Sequence, residues 1–301
     1  MIKLNGVPVN GELIETYKKN GNVKKRSNYK DGVLDGVEIE YRKDGSMKYN
    51  TNYKDGVLNG KHTEWHKNGQ KKIELNYTNG KENGKQTKWY ENGNKQSESD
   101  FDNGVLNGKH ILWWKNGSKS HDIDYVDGKE HGKSISYYPS GGESTVINYE
   151  NGQIHGIMID VSPDGTQHIT TNYKNGQRHG KKIVWFSYSL KKKMSEEVYE
   201  NGKLNGKEKR WHENGVKHWE RNFVDGKSNG LESIWDENGN KKSEVDYVDG
   251  NKHGKQTKWY ENGDKKNERY YEKGLENGEY TIYNQDGSIC EKGTYEYGYI
   301  K

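Results

Sequence analysis

The chain has 301 residues, 28% of them hydrophobic and 31% charged. Globular domains ordinarily reach about 45–50% apolar residues, so one large core is excluded, while 23 Tyr and 9 Trp exclude the aromatic-poor composition of a disordered chain. The 49 basic and 45 acidic residues nearly cancel to +4, which excludes the concentrated basic stripe of a dedicated nucleic-acid binder.

The first 28 residues hold Leu4, Val7, Val9, Leu13 and Ile14 without a signal-like apolar run, and predict an N-terminal cap with a partial repeat. No later stretch is apolar enough to cross a bilayer as a helix. The single Cys290 offers neither an internal disulfide nor a cysteine zinc cluster. A soluble, cytoplasmic protein held by packing, with no cofactor, is the expectation.

From Tyr29 onward one text recurs. The leading aromatic stands at Tyr29, Tyr53, Tyr77, Phe101, Tyr125, Tyr149, Tyr173, Tyr199, Phe223, Tyr247, Tyr271 and Tyr295, always 24 residues apart except for one step of 26. Eleven tandem repeats therefore fill 29–294, irregular at 137–198, and 295–301 is a C-terminal cap. Ten residues, GKQTKWYENG, occur identically at 84–93 and 254–263, which marks duplication.

Each repeat has three glycines in register, such as Gly80, Gly84 and Gly93. The third usually follows Asn, as in Asn92-Gly93, and Asn-Gly between alternating segments predicts a tight hairpin turn with positive φ at both residues. The first two glycines are predicted to bracket a second reversal, DGVLNG or NGKENG. Between reversals lie segments of about seven residues, too short for ordinary helices, so each repeat is two antiparallel strands. Stacking 22 strands at about 4.8 Å predicts an all-β, elongated, single-layer antiparallel ribbon on the order of 100 Å long.

A side-chain period of two places Thr63, Thr87 and Ile111 on the face of Trp65, Trp89 and Trp113, and leaves Glu40, Glu64 and Lys88 on a mostly solvated face. The set Trp65, Trp89, Trp113, Trp185, Trp211, Trp235 and Trp259 is read as a structural stripe, each ring lying against its equivalent one repeat away. A second aromatic follows it at Tyr90, Trp114, Tyr138, Phe186 and Tyr260, expected on the polar face and hence a candidate partner contact. The break in the rule near the middle adds Tyr188, Lys191, Lys192 and Lys193 as candidate contacts for an acidic protein or anionic surface. His131, His155, His179 and His253 replace an Asn before the second glycine, which argues for turn chemistry over metal ligation. No arrangement unique to one place suggests catalysis.

The register Y-x-x-G-x-x-x-G-x-x-x-x-W/Y-x-x-x-G, as in Tyr77 to Gly93, resembles the MORN repeat in its bacterial variant form, over about residues 10 to 298. The Tyr-Glu-Gly-like element of the eukaryotic form is replaced by text such as Tyr77-Thr78-Asn79-Gly80, so that form's phosphoinositide association is not carried over. The resemblance implies a non-catalytic ribbon for contacts with other proteins or with itself. Bacterial proteins with tandem copies are grouped as the YwqK-like family and described as antitoxins, and large DNA viruses carry long arrays of such repeats. A protein partner, in the sharpest form a toxin, is therefore expected; the alternative is self-association as a structural component, and a membrane surface is the weakest reading.

Overall fold

The computed structural model describes residues 1–187 and 191–301; every regular element in it is a β-strand. It divides into two units, Met1–Gln153 and Ile154–Lys301. In the first, the strands Gly11–Thr16, Val23–Lys30, Val33–Tyr41, Met47–Lys54, Val57–Trp65, Lys71–Thr78, Gly84–Trp89, Lys95–Asp102, Val105–Trp113, Lys119–Val126, Lys129–Tyr137 and Glu143–Glu150 pair antiparallel in chain order. The second repeats the pattern from Gly156–Val161 to Ile289–Glu296. Tandem antiparallel hairpins, as the sequence predicts, build both.

The turns are distributed differently from the expectation. The two-residue hairpin sits at the first glycine: Thr78 pairs with Lys81, and both Asn79 (φ 49) and Gly80 (φ 78) are left-handed, the geometry of a type I′ turn. At the third glycine only Gly93 (φ 87) is left-handed. There Tyr90 N–H donates to Asn94 O and Gly93 N–H to Tyr90 O, which makes a three-residue loop ending in a glycine bulge. The same loop persists at Tyr138–Gly142 without Asn-Gly, Gly141 taking the left-handed place. The second glycine makes no reversal. Gly108 (φ 112) lies within Val105–Trp113, where the pairing slips by extra residues opposite Asp100, and a Cβ there would stand 3.1 Å from the Asp100 Cβ.

Only Val146, Val245 and Tyr280 are buried hydrophobic residues among those described. The face expected to be solvated instead holds a line of covered polar side chains, Ser27, Glu38, Thr51, Gln86 and Ser99 among them, flanked on the same strands by Tyr29, Tyr53 and Phe101. These groups satisfy one another across strands: Ser27 Oγ donates to Glu38 Oε2 at 3.2 Å, and Ser99 Oγ lies 2.6 Å from His110 Nδ1. Burying small polar groups in mutual hydrogen bonds avoids the penalty of about 1–3 kcal/mol for an unsatisfied one.

Candidate interaction surfaces

On the tryptophan face, Lys85, Thr87 and Trp89 alternate along one strand, and the neighbour pairs Glu98 opposite Thr87 and Lys95 opposite Trp89. Glu98 is thereby held between Lys85 Nζ at 2.6 Å and Lys95 Nζ at 2.5 Å. Lys95 also stands 5.3 Å from the ring centroid of Trp113, one repeat on. Glu74 sits between Lys61 and Lys71, with Lys71 over Trp89, and Asp122 between Lys109 and Lys119. The second unit repeats this at Glu196, Glu220 and Glu268, and Lys193, Lys217 and Lys241 cover Trp211, Trp235 and Trp259.

The stripe is therefore not ring against ring. A lysine separates successive tryptophans, each cation–π contact contributing about 0.5–1 kcal/mol at an exposed site. Trp65, Trp89, Trp113, Trp211, Trp235 and Trp259 are half-buried, as is Trp185, with Lys193 5.9 Å from its centroid. For Glu98, Glu196 and Glu220 burial opposes ionisation, but two lysines outweigh it and hold each carboxyl below its ordinary range. For Glu74 the Lys71 contact is the leading cause of the same shift. The sequence reading missed these triads, although Lys85 and Lys109, Lys95 and Lys119, and Glu98 and Asp122 each recur with the spacing of the aromatics.

The residues after the tryptophans lie at the bulged loops and lace one loop to the next. Tyr90 donates its hydroxyl to Trp113 O at 2.9 Å, and Tyr260 to Tyr283 O at 2.7 Å. Trp114 Nε1 reaches Tyr137 O at 3.4 Å with the ring 37% exposed. Other donors fill the same place: Tyr17 to Tyr41 O, Arg42 to Trp65 O, His66 to Trp89 O and His212 to Trp235 O. Loop asparagines add a second lace, Asn92 to Lys115 O and Asn262 to Gln285 O. Tyr90 and Tyr260 thus have a structural task beside any contact role.

Tyr138 and Phe186 are half-buried. Tyr188 lies outside the described residues. Lys191 and Lys192 are exposed, Lys191 at a left-handed turn position (φ 54), whereas Lys193 belongs to the Glu196 triad. His131 Nδ1 accepts the Asn151 N–H at 3.5 Å as Asn59 Oδ1 accepts that of Asn79 at 3.3 Å, so the histidine does the work of the asparagine it replaces. Among the described residues no three His, Cys, Asp or Glu side chains converge as metal ligands.

Residues 58–79, 82–103, 228–249, 252–273 and 276–297 match one family model. That model is described as the MORN repeat variant, and its five matches cover 110 of the 301 residues. No curated protein matches the chain. Among solved structures, similarity extends to a chain of the crystal structure of TcdB2-TccC3, at 11% identity and a TM-score of 0.19, covering 92% of this chain and 20% of that one. A chain of the TcdB2-TccC3-Cdc42 crystal structure is similar at 12% identity and a TM-score of 0.16, covering 98% and 21%. This chain thus spans about a fifth of those chains. In the MORN-type repeats of both units the donor after the Trp, the Asn-Gly loop and the Lys–carboxylate–Lys triad follow one rule.

Proposed function

We propose that the chain is a non-catalytic scaffold that binds a protein partner through the tryptophan face of its MORN-type repeats. The observation that carries this reading is the lattice itself: half-buried Trp89, Trp113, Trp211 and Trp235, each beside a lysine already held by a carboxylate. Pinned lysines and rings lose little side-chain freedom on contact, and tryptophan anchors are what protein interfaces favour. MORN repeats serve generally in protein interaction, which supports a protein partner over a small substrate.

The narrower form of the proposal is an antitoxin. Its test is co-expression with the product of the adjacent gene. Rescue of growth and co-purification of the two proteins are expected, and a Trp113→Ala/Trp235→Ala chain of unchanged β-sheet circular dichroism should lose both. Rescue that survives the double substitution would sink the assignment to this face, and a harmless neighbour product would remove the antitoxin reading.

A further inference from the structure

On the face opposite the tryptophans, one column next to the bulged loops changes from repeat to repeat. The early repeats place a cross-strand ion pair there: Lys48 Nζ is 2.7 Å from Glu40 Oε1, and Lys72 Nζ is 3.1 Å from Glu64 Oε2. In the tenth repeat the same two places are Lys258 and Lys266, and the neighbouring strand adds Lys242. All three are exposed, and among the described residues none of the three ammonium groups has a carboxylate within ion-pair distance. Like charges facing one another across strands are destabilising, so this arrangement works against the sheet that carries it.

The three lysines border a groove of about 700 Å³ whose wall includes Tyr260 and the carboxylates Asp236 and Glu261. Lys266 Nζ stands 5.5 Å from the Tyr260 ring centroid. The groove opens where a lace is missing: Asp236 occupies the donor position filled by His212 and Tyr260, and its carboxylate turns back to accept the Asn238 and Asn240 N–H groups at 2.9 and 2.8 Å. A second groove of about 360 Å³ shares Asp236 and Lys242 with the first and continues to His212 and His218, whose rings lie 4.4 Å apart.

We infer that this loop-edge groove of the second unit binds an extended acidic segment of a partner protein, its carboxylates meeting Lys242, Lys258 and Lys266 and an apolar side chain lying on Tyr260. This deepens the protein-binding function proposed above and rests on it. A compact phosphate-like anion fits less well. It would need convergent backbone N–H groups, and here Tyr260 and Gly263 donate to Asp264 O and Tyr260 O, Asp264 donates to Asn262 Oδ1, and Asp236 has taken the amides of its own loop. The cations are also spread over three consecutive strands, Lys241–Val248, Asn251–Trp259 and Lys265–Glu272, which matches a chain of separated charges.

The test uses the full chain and a fluorescein-labelled decapeptide of alternating Glu and Tyr, read by fluorescence anisotropy. Binding that weakens with salt is expected, with no binding of the Gln–Tyr decapeptide. Lys258→Glu restores the pairing seen at Glu64 and Lys72, so its melting temperature should equal or exceed that of the unmodified chain while its affinity falls about tenfold or more, as loss and reversal of an interfacial charge require. Lys54→Gln, at an exposed lysine of the first unit that belongs to no triad, should bind normally. Unaltered affinity of Lys258→Glu, equal binding of the Gln–Tyr peptide, or binding of pyrophosphate in place of the acidic peptide would each overturn the inference. A natural partner that ignores Lys258→Glu removes the groove and leaves the scaffold reading, whereas peptide binding by a chain that no partner engages removes the scaffold reading alone.

Discussion

Glu268→Gln isolates the repeated triad in one substitution. Lys255 and Lys265 place their ammonium groups 2.6 and 2.7 Å from Glu268 Oε1, and Tyr283 donates its hydroxyl to Oε2 at 3.1 Å. Burial of this carboxylate works against its charge, yet these three partners outweigh burial and hold its pKa at about 2, against an ordinary 4.5. A shift of that size corresponds to about 3 kcal/mol of linked stability before screening. The carboxylate is 14% exposed but its lysines are 42% and 50% exposed, so solvent and salt reduce the expected contribution to about 1–2 kcal/mol.

The sign follows from the depressed value. The stabilisation is complete above the unfolded pKa near 4.5 and disappears as pH falls toward about 2. Urea unfolding followed by circular dichroism, in low salt, should show Glu268→Gln less stable by about 1–2 kcal/mol at pH 7. The two proteins should converge by pH 2. A cost under about 0.3 kcal/mol at pH 7, below the usual range for a well-formed pair, or a gap that persists unchanged in acid, would refute the triad as a source of stability.

Tyr90→Phe removes the hydroxyl that reaches Trp113 O and should cost about 0.5–1.5 kcal/mol in urea unfolding, while Tyr270→Phe, on an exposed ring, should be silent. Gly108→Ala meets both a left-handed backbone and the Asp100 Cβ at 3.1 Å, whereas Gly84→Ala (φ 80) meets no atom within 4 Å. The first should lose about 2–4 kcal/mol and the second about 1–2 in the same assay; equal losses would deny the close approach at the bulge. His110 is held below its ordinary pKa, first by burial and then by the charges of His121 and Lys88. Its contribution is therefore present above pH 6.5 and lost as pH falls through the folded value. Melting curves from pH 7.5 to 5 should show a steeper decline for the unmodified chain than for His110→Gln.

The order of repeats and the two strands in each are present in the linear text. Spacings such as Tyr77 to Phe101 fix them, because strand and turn preferences act over a few neighbouring residues. The same local logic explains why His131 could be read as a turn residue. It misassigned the turns because Asn-Gly suits both a two-residue primed turn and a loop with a glycine bulge, and the choice depends on which residues pair on either side. For Asn92-Gly93 the closing contact is Tyr90 with Asn94; for Asn79-Gly80 it is Thr78 with Lys81.

The repeat and its strands are thus local properties of the chain, whereas the meeting of side chains depends on how the strands pair. Lys95 and Glu98 are an odd number apart, so a flat strand would set them on opposite faces. The slip between the Lys88 and Trp89 pairings turns Lys95 onto the face of Glu98 and Trp113. That one-residue bulge converts scattered charges into triads and inserts a lysine between tryptophans. The lacing of Tyr90 to a carbonyl in the next repeat is equally invisible to local pattern, because it needs two loops brought side by side by the pairing of strands between them.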